Sequence, residues 1–512
     1  VSEAVAPATR ADRVDAPRAL AGRVADRMNP VLVREVQQAL NSRGFAVTLA
    51  IALLAVVIVA LTAVADSDGA RARGLQTLGT SLLVLAPIVL LIVPIQAFVA
   101  TRQEVAAGTV EHLLLSRLTP ARVVRGKLLG AVVQVVLYVA VFAPLLALTY
   151  QLRGIDVVTI ANLLLVVLVG SLTACSLAVA GGAVCRTPQL QPVAFLLVFG
   201  GLVALAVFFT GSVGQATFFH GGRGAFSVLA PGLALAGAAL VLFAMVGSSA
   251  LAHPYENRST GFRLFALAFV LLFPGWGVWV ATGSGGLSRA DLWQLARDMT
   301  MVVAPFWLLA ATEEAALSPR VRTTVPKNPV LAVLATPFLP GGSRALLFVL
   351  FLAAAAMGGA RLWEAGASPA FGHPLVRGHW GTASDVVARL LDETWLAWGY
   401  VVWYAGAGAW IRRRLARGPG RNWAARGFLL MVVGLPMIVP VVVDVATKEQ
   451  VTRWHLGHVG NPFFTLDGDH VRHAFPIVAA AALTGLAANA RAIVAGVAEV
   501  LRASRERRRR AA

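Results

Sequence analysis

Residues 45–64 read FAVTLAIALLAVVIVALTAV, a run in which only Thr48 and Thr62 carry polar side chains. A helix rises about 1.5 Å per residue, so about 20 apolar residues cover a hydrocarbon core about 30 Å thick. Arg43 and Gly44 bound the run on one side, and Asp66 and Asp68 on the other. This is the signature of a membrane-crossing helix.

Comparable runs follow at Leu78 to Ala100, Leu128 to Thr149, Val158 to Val184, Val193 to Thr210 and Leu229 to Leu251. A second set lies at Leu264 to Thr282, Met301 to Ala311, Ala345 to Ala360, Trp395 to Ile411, Phe428 to Val443 and Phe475 to Ala490. Several of these are shorter, and the Met301 run is the weakest. The composition agrees: of 512 residues 58% are hydrophobic and 13% charged, whereas a soluble domain is roughly half apolar and a quarter charged. The expected fold is an all-α integral membrane protein, a polytopic helical bundle of about twelve transmembrane helices.

With the N-terminus placed in the cytoplasm, 32 of the 44 Lys and Arg residues fall on the inner side and 12 on the outer. Acidic residues divide almost evenly, 12 inside and 13 outside, so the net charge of +19 is concentrated on one face. Such asymmetry is the positive-inside signal, and it assigns the basic excess to orientation and anionic-lipid contact, with no nucleic-acid partner. Arg412, Arg413, Arg414, Arg417, Arg421 and Arg426 surround one inner loop, and arginines recur from Arg502 to Arg510. Both termini are expected in the cytoplasm, with the chain in the plasma (inner) membrane.

Residues 1–28 form a polar cytoplasmic segment without the apolar core of about 7 to 15 residues that a signal peptide needs. Asn29 and Pro30 then suit an N-cap and first helical position. Leu32, Val33, Val36 and Leu40 share one helical face, while Arg34, Glu35, Gln37, Gln38 and Asn41 fall elsewhere. The expected element is a helix in the interface plane that enters the membrane through a bend at Ser42, Arg43 and Gly44. It reads equally as a gating element or a membrane-surface anchor.

The loop over residues 101–127 is the most informative. Glu104, Gly108, Thr109, Glu111, Leu113, Leu114 and Leu115 lead to Thr119, Pro120, Gly126 and Lys127. Thr119 and Pro120 suit the cap and first residue of the next helix. A leucine-rich face on a polar loop is costly unless something covers it, which makes this a docking element.

These features, an interfacial helix, a pair of spans, an acidic glycine-containing loop closing on Gly126-Lys127, and four further spans, resemble an ABC-2-type transporter permease. The likeness covers residues 29–251 and is strongest from Glu104 to Lys127, although Leu118-Thr119-Pro120 departs from the family's usual threonine, proline, leucine order. It implies that a separate ABC ATPase subunit contacts Glu104, Gly108, Thr109, Glu111, Leu114, Leu115, Pro120, Gly126 and Lys127. It also implies an unidentified substrate, lipid-like or amphipathic in class.

Residues 252–497 hold the second six spans, and residues 498–512 a basic cytoplasmic tail. Ala100, Thr101, Glu104 and Ala106 are echoed, with a one-residue gap, by Ala311, Thr312, Glu314 and Ala316. Thr119-Pro120 is echoed by Thr336-Pro337, and Gly44-Phe45 by Gly261-Phe262. The second region is thus a diverged repeat or an unrelated bundle. A repeat would supply both halves of a transport pathway from one chain; otherwise a homodimer is expected.

No Gly-x-x-x-x-Gly-Lys-Ser/Thr stretch occurs, so no cofactor is assigned to this chain and ATP belongs to the partner subunit. Gln96, Gln134 and Asn162 lie within spans, but ionisable groups near mid-membrane are almost lacking, which disfavours a proton relay. Glu313 and Glu314 sit near an inner span end, as solvated carboxylates or as coupling groups. Cys175 and Cys185 read as apolar thiols without a disulfide framework.

His373, His379, His455, His458, His470 and His473 fall in expected outer loops. The spacings His455-x-x-His458 and His470-x-x-His473 make these four candidate metal ligands, or interfacial and loop-packing histidines. Trp276, Trp279, Trp380, Trp395 and Trp398 lie near span ends, as interfacial anchors do, with Trp307 inside the eighth run. No catalytic residue is expected. The competing reading is a non-transporting membrane scaffold or complex subunit whose outer loops bind a partner or metal.

Overall fold

In a computed structural model the described residues are 30–65, 70–110, 118–151, 156–185, 191–215, 223–253, 256–284, 293–294, 296–297, 300, 310–314, 316–367, 383–415, 422–447, 456–466 and 471–510. Among them every regular element is helical. Among the described residues eight helices are long and apolar enough to cross a membrane: Arg43–Thr62, Gln76–Ala106, Pro120–Gln151, Val157–Val184, Ala194–Gly211, Gly232–Leu251, Gly342–Leu362 and Val471–Arg509. The protein is all-α and of the multi-pass membrane type.

All six runs expected in the first half fall on these helices, as do Ala345 to Ala360 and Phe475 to Ala490. The run at Leu264 is represented by the shorter apolar stretch Thr260–Phe273, and the run at Phe428 by Ala424–Pro436. Trp395 to Ile411 lies in a long helix flanked by Asp392, Glu393 and three arginines. Most of the run at Met301 lies outside the described residues.

The chain divides into two compact units, Val1–Ala252 and His253–Ala512. The first comprises α1 (Pro30–Leu40), α2 (Arg43–Ala65), α3 (Ala70–Pro87), α4 (Val93–Ala106), α5 (Pro120–Gln151), α6 (Val157–Val184), α7 (Gln191–Gln215) and α8 (Arg223–Leu251). The second comprises α9 (Thr260–Ser284), the short α10 (Pro319–Arg322) and α11 (Pro329–Ala335), α12 (Gly342–Ala367), α13 (Ala383–Arg414), α14 (Asn422–Thr447), α15 (Pro462–Thr465) and α16 (Val471–Arg509). Helix α16 runs on through the basic stretch from Arg502 to Arg509.

Within the first unit α6 is the central helix, packed against α4, α5, α7 and α8. Its buried Gly170, Ala174, Ala178 and Gly182 recur every four residues, the small-residue row that lets membrane helices approach closely. At Gly182 the neighbouring backbone leaves no room for a side chain: a Cβ would lie 2.8 Å from the Phe98 carbonyl oxygen on α4 and 3.0 Å from Thr101 Cβ. By contrast α2 exposes Val47, Ile51, Leu54, Val57, Ile58 and Leu61, as a lipid-facing helix does.

Helices α3 and α4 are one continuous rod joined by a π turn, Ile88–Ile92. Pro94 has no N–H, so a carbonyl one turn earlier loses its partner. In the π pattern that carbonyl belongs to Val89, and the hydroxyl of Ser171 on α6 donates to it at 2.8 Å. Replacing Ser171 by Ala should leave a buried carbonyl unsatisfied at a cost of about 1–3 kcal/mol. Ser176→Ala is the control, because the Ser176 hydroxyl bonds only within its own turn, to Thr173 O. Thermal unfolding in detergent should give a clearly lower midpoint for Ser171→Ala than for the control.

Candidate partner-docking site

The loop expected to dock a partner is anchored by a cluster of four charges. Glu104 ends α4, Lys127 lies in the second turn of α5, and Arg34 and Glu35 lie on α1. Lys127 Nζ stands 2.5 Å from Glu35 Oε1 and 2.8 Å from Glu104 Oε2, and its side chain is only 3% exposed. Arg34 reaches the other oxygen of Glu104 at 3.2 Å. The four formal charges cancel. An ammonium this deep needs both carboxylates, because removing charges from water costs several kcal/mol each before pairing offsets it.

Local geometry explains why these groups meet. Val31 on α1 is buried with Val110, Val123, Val124, Val179, Ala183 and Leu251, which fixes α1 across the base of the loop. Gly130 on α5 lets α1 pass, since a Cβ there would stand 3.0 Å from Glu35 Cβ. After α4, Gly108 turns the chain with φ +71°, a value that favours glycine. Thr109 Oγ1 donates to Glu104 O at 3.1 Å and closes the turn. Pro120 begins α5, with Thr119 at its cap and the Arg122 N–H 3.4 Å from the Thr119 hydroxyl oxygen. Gly126 is buried beside Lys127.

Of the expected contact residues, Glu104 and Lys127 come together as an ion pair, and Gly108, Thr109, Pro120 and Gly126 shape the loop's two ends. Glu111, Leu113, Leu114 and Leu115 lie outside the described residues. On α1 Val31 is buried and Leu40 exposed, and Arg34 and Glu35, which fall off its apolar face in the sequence, turn toward α4 and α5. The missed signal was the Arg-Glu pair itself, whose charges complement Glu104 and Lys127.

A related arrangement occurs within the second unit. Glu313 accepts from Arg263 at 3.1 Å, from the Ser259 hydroxyl at 2.7 Å and from the Gly341 N–H at 3.0 Å. Arg263 is fully buried and also donates to the carbonyls of Pro337 and Leu339 at 2.7 and 2.6 Å. Gly341 adopts φ +129°, and the Gly342 N–H donates to Glu313 O at 3.2 Å. Glu314, aligned with Glu104 in the sequence comparison, is exposed; Glu313 takes the bridging place. Arg344, also fully buried, pairs with Glu499 at 2.7 Å.

Among the candidate histidines, His458 is buried in the turn Leu456–Gly460. That turn is fastened to α13 by the hydroxyls of Tyr400 and Tyr404, which donate to Val459 O and Gly460 O. His473 is exposed on α16, whereas His455, His470, His373 and His379 lie outside the described residues. Among the described residues no three His, Cys, Asp or Glu side chains gather as a metal set. Cys175 and Cys185 are free and buried.

No protein-family model, curated protein or solved structure matches the chain.

A double-mutant cycle tests the ion pair directly. Lys127→Met should leave Glu35 without its cation and Glu104 with Arg34 alone in a poorly hydrated pocket and destabilise strongly, while Glu104→Gln in the same chain should relieve part of that loss. The expected coupling is about 1–3 kcal/mol by denaturation in detergent; additivity would mean that the contact contributes nothing.

Proposed function

We propose that the protein is the permease subunit of an ABC-2-type transporter, with about twelve spans and both termini in the cytoplasm of the plasma membrane. A separate ATPase docks on the loop over residues 101–127 and drives movement of an amphipathic or lipid-like substrate. The observation that carries this reading is the charge cluster at the loop's root. Glu104, Lys127, Arg34 and Glu35 tie the end of α4, the start of α5 and the surface helix α1 into one piece. A push on the loop would therefore reach two membrane-crossing helices and α1 together, which is what coupling to an outside motor requires.

The multi-pass apolar architecture and the uneven distribution of Lys and Arg support the orientation. The sequence has no phosphate-binding glycine loop of its own, so ATP is assigned to the partner. Glu111, Leu114 and Leu115 complete the proposed contact.

Scrambling residues 111–117 should abolish co-purification of the ATPase and substrate-stimulated ATP hydrolysis while leaving the permease's melting temperature unchanged. A complex that survives the scramble intact would sink the docking assignment. For orientation, a fluorescent protein fused after Ala512 should fold and fluoresce in cells, and a periplasm-dependent phosphatase at the same place should be inactive. The opposite pair of results would reverse the topology.

A further inference from the structure

Helices α3 and α4 are one rod, yet its halves belong to different parts of the first unit. Leu78 and Leu85 on α3 are buried with Ala52 on α2 and Val135 and Tyr138 on α5. Phe98 on α4 is buried with Ala174 and Ala178 on α6 and Leu202 on α7. Accordingly α3 packs chiefly on α5 and α2, and α4 chiefly on α6. The change of partners falls at the π turn Ile88–Ile92.

The backbone ladder is weakest at the same place. Pro87 and Pro94 bracket the turn, and neither has an N–H to offer the preceding turn. An interrupted ladder is where a helix bends. Inside the turn the Val93 N–H donates to Ile88 O, five residues back. The alternative acceptor is Val89 O, four residues back, which gives the ordinary α register. Ser171 on α6 occupies that carbonyl at 2.8 Å in a buried contact, and so favours the π register. Its hydroxyl has a second acceptor within its own helix, the carbonyl of Val167 four residues back. In either register the Val93 N–H, the Val89 carbonyl and the Ser171 hydroxyl each find a partner.

Beyond the turn α4 is stiff and fastened. Its backbone meets α6 at Gly182, where a Cβ would lie 3.2 Å from the Arg102 nitrogen. Glu104, twelve residues after Ile92 and about 18 Å along the helix, is gripped by Lys127 and Arg34. A change of register at the turn therefore redirects α4 as a body, carrying the inner half of α6 and the charge cluster with it, while α3 stays with α2.

We propose that the π turn is a two-position hinge and that Ser171 is the latch that holds it in the π register. The hinge rests on this geometry, and its use in transport rests on the permease reading above. The test places spin labels at Thr80 on α3 and Gln103 on α4 of the full-length protein in lipid nanodiscs and measures their separation by electron double resonance. Val47 on α2 with Thr80 is the reference pair, and all three positions are exposed. Ser171→Ala should raise a shifted Thr80 to Gln103 population about fivefold over the wild type, the worth of one hydrogen bond, and leave the reference distance unchanged. Ser171→Thr, which keeps the hydroxyl, and Ser176→Ala should both read as the wild type. One Thr80 to Gln103 distribution common to all four chains, or an equal shift of the reference pair, would overturn the hinge. With the ATPase bound and an ATP analogue added, the wild type should populate the shifted distance; a bound ATPase that leaves it unmoved would overturn the hinge's use in transport. A chain that binds no ATPase yet shifts with Ser171→Ala would support the hinge and overturn the permease reading.

Discussion

An ammonium group almost closed off from water is unstable unless carboxylates surround it, and the arrangement at Lys127 follows from that demand. Its two partners come from different parts of the chain, Glu35 on α1 and Glu104 at the end of α4, 92 and 23 positions away. Glu104 also holds Arg34, so the network is neutral and closed. Breaking such a buried set by removing one member costs more than the pair contributes when intact, because the remaining charges stay in a poor solvent. The three segments are thereby forced to keep their mutual placement. The apolar contacts of Val31, Val110, Val123 and Val124 lie in the same layer and supply the dry surroundings that give the charges their grip.

The second unit meets a similar demand with other groups. A glutamate in the last turn of a helix or just past its end faces unpaired carbonyls and the negative end of the helix dipole. Glu104 offsets this with Lys127 and Arg34. Glu313 does so with Arg263, a hydroxyl and the backbone N–H of Gly341. Use of a main-chain donor explains the glycine pair: Gly341 takes a backbone conformation strained for other residues, and a Cβ on Gly342 would lie 2.3 Å from Ala311 O. Where the first unit relies on long flexible side chains, the second relies on backbone geometry.

This difference marks what could be read in advance. The first six spans were legible because twenty consecutive apolar residues are a local property that needs no knowledge of neighbours. In the second unit the runs are interrupted: Pro436 and Pro440 lie inside α14, and α13 carries Asp392 and Glu393 immediately before its apolar stretch. The ionic root of the loop was half legible. Glu104 and Lys127 stood out in a short segment, but Arg34 and Glu35 sit on an amphipathic surface helix, where solvent is the usual neighbour of a charged side chain. Their partners are 70 and 92 residues distant, and nothing local encodes that pairing. The choice between Glu313 and Glu314 was equally closed to sequence, since adjacent residues point in different directions and only the chain's path decides which one faces Arg263.

Both ends of the segment over residues 101–127 are held in place. Gly108 and Pro120 define where each flanking helix stops and starts, and Lys127 lies barely two turns into α5. A force applied between those points cannot be absorbed by unwinding the end of α4, because Glu104 there is held by two cations. Nor can α5 slide freely along α1, for the close passage at Gly130 and the Lys127 to Glu35 contact both resist it. What remains is a joint tilt of α4, α5 and α1. Beneath this junction α4 meets α6 at Gly182 with no room for a side chain, and α6 in turn packs along α8. Close-packed helices transmit displacement because interiors do not compress. The small residues along α6 thus extend the ionic clamp's constraint from the loop into the apolar body of the unit.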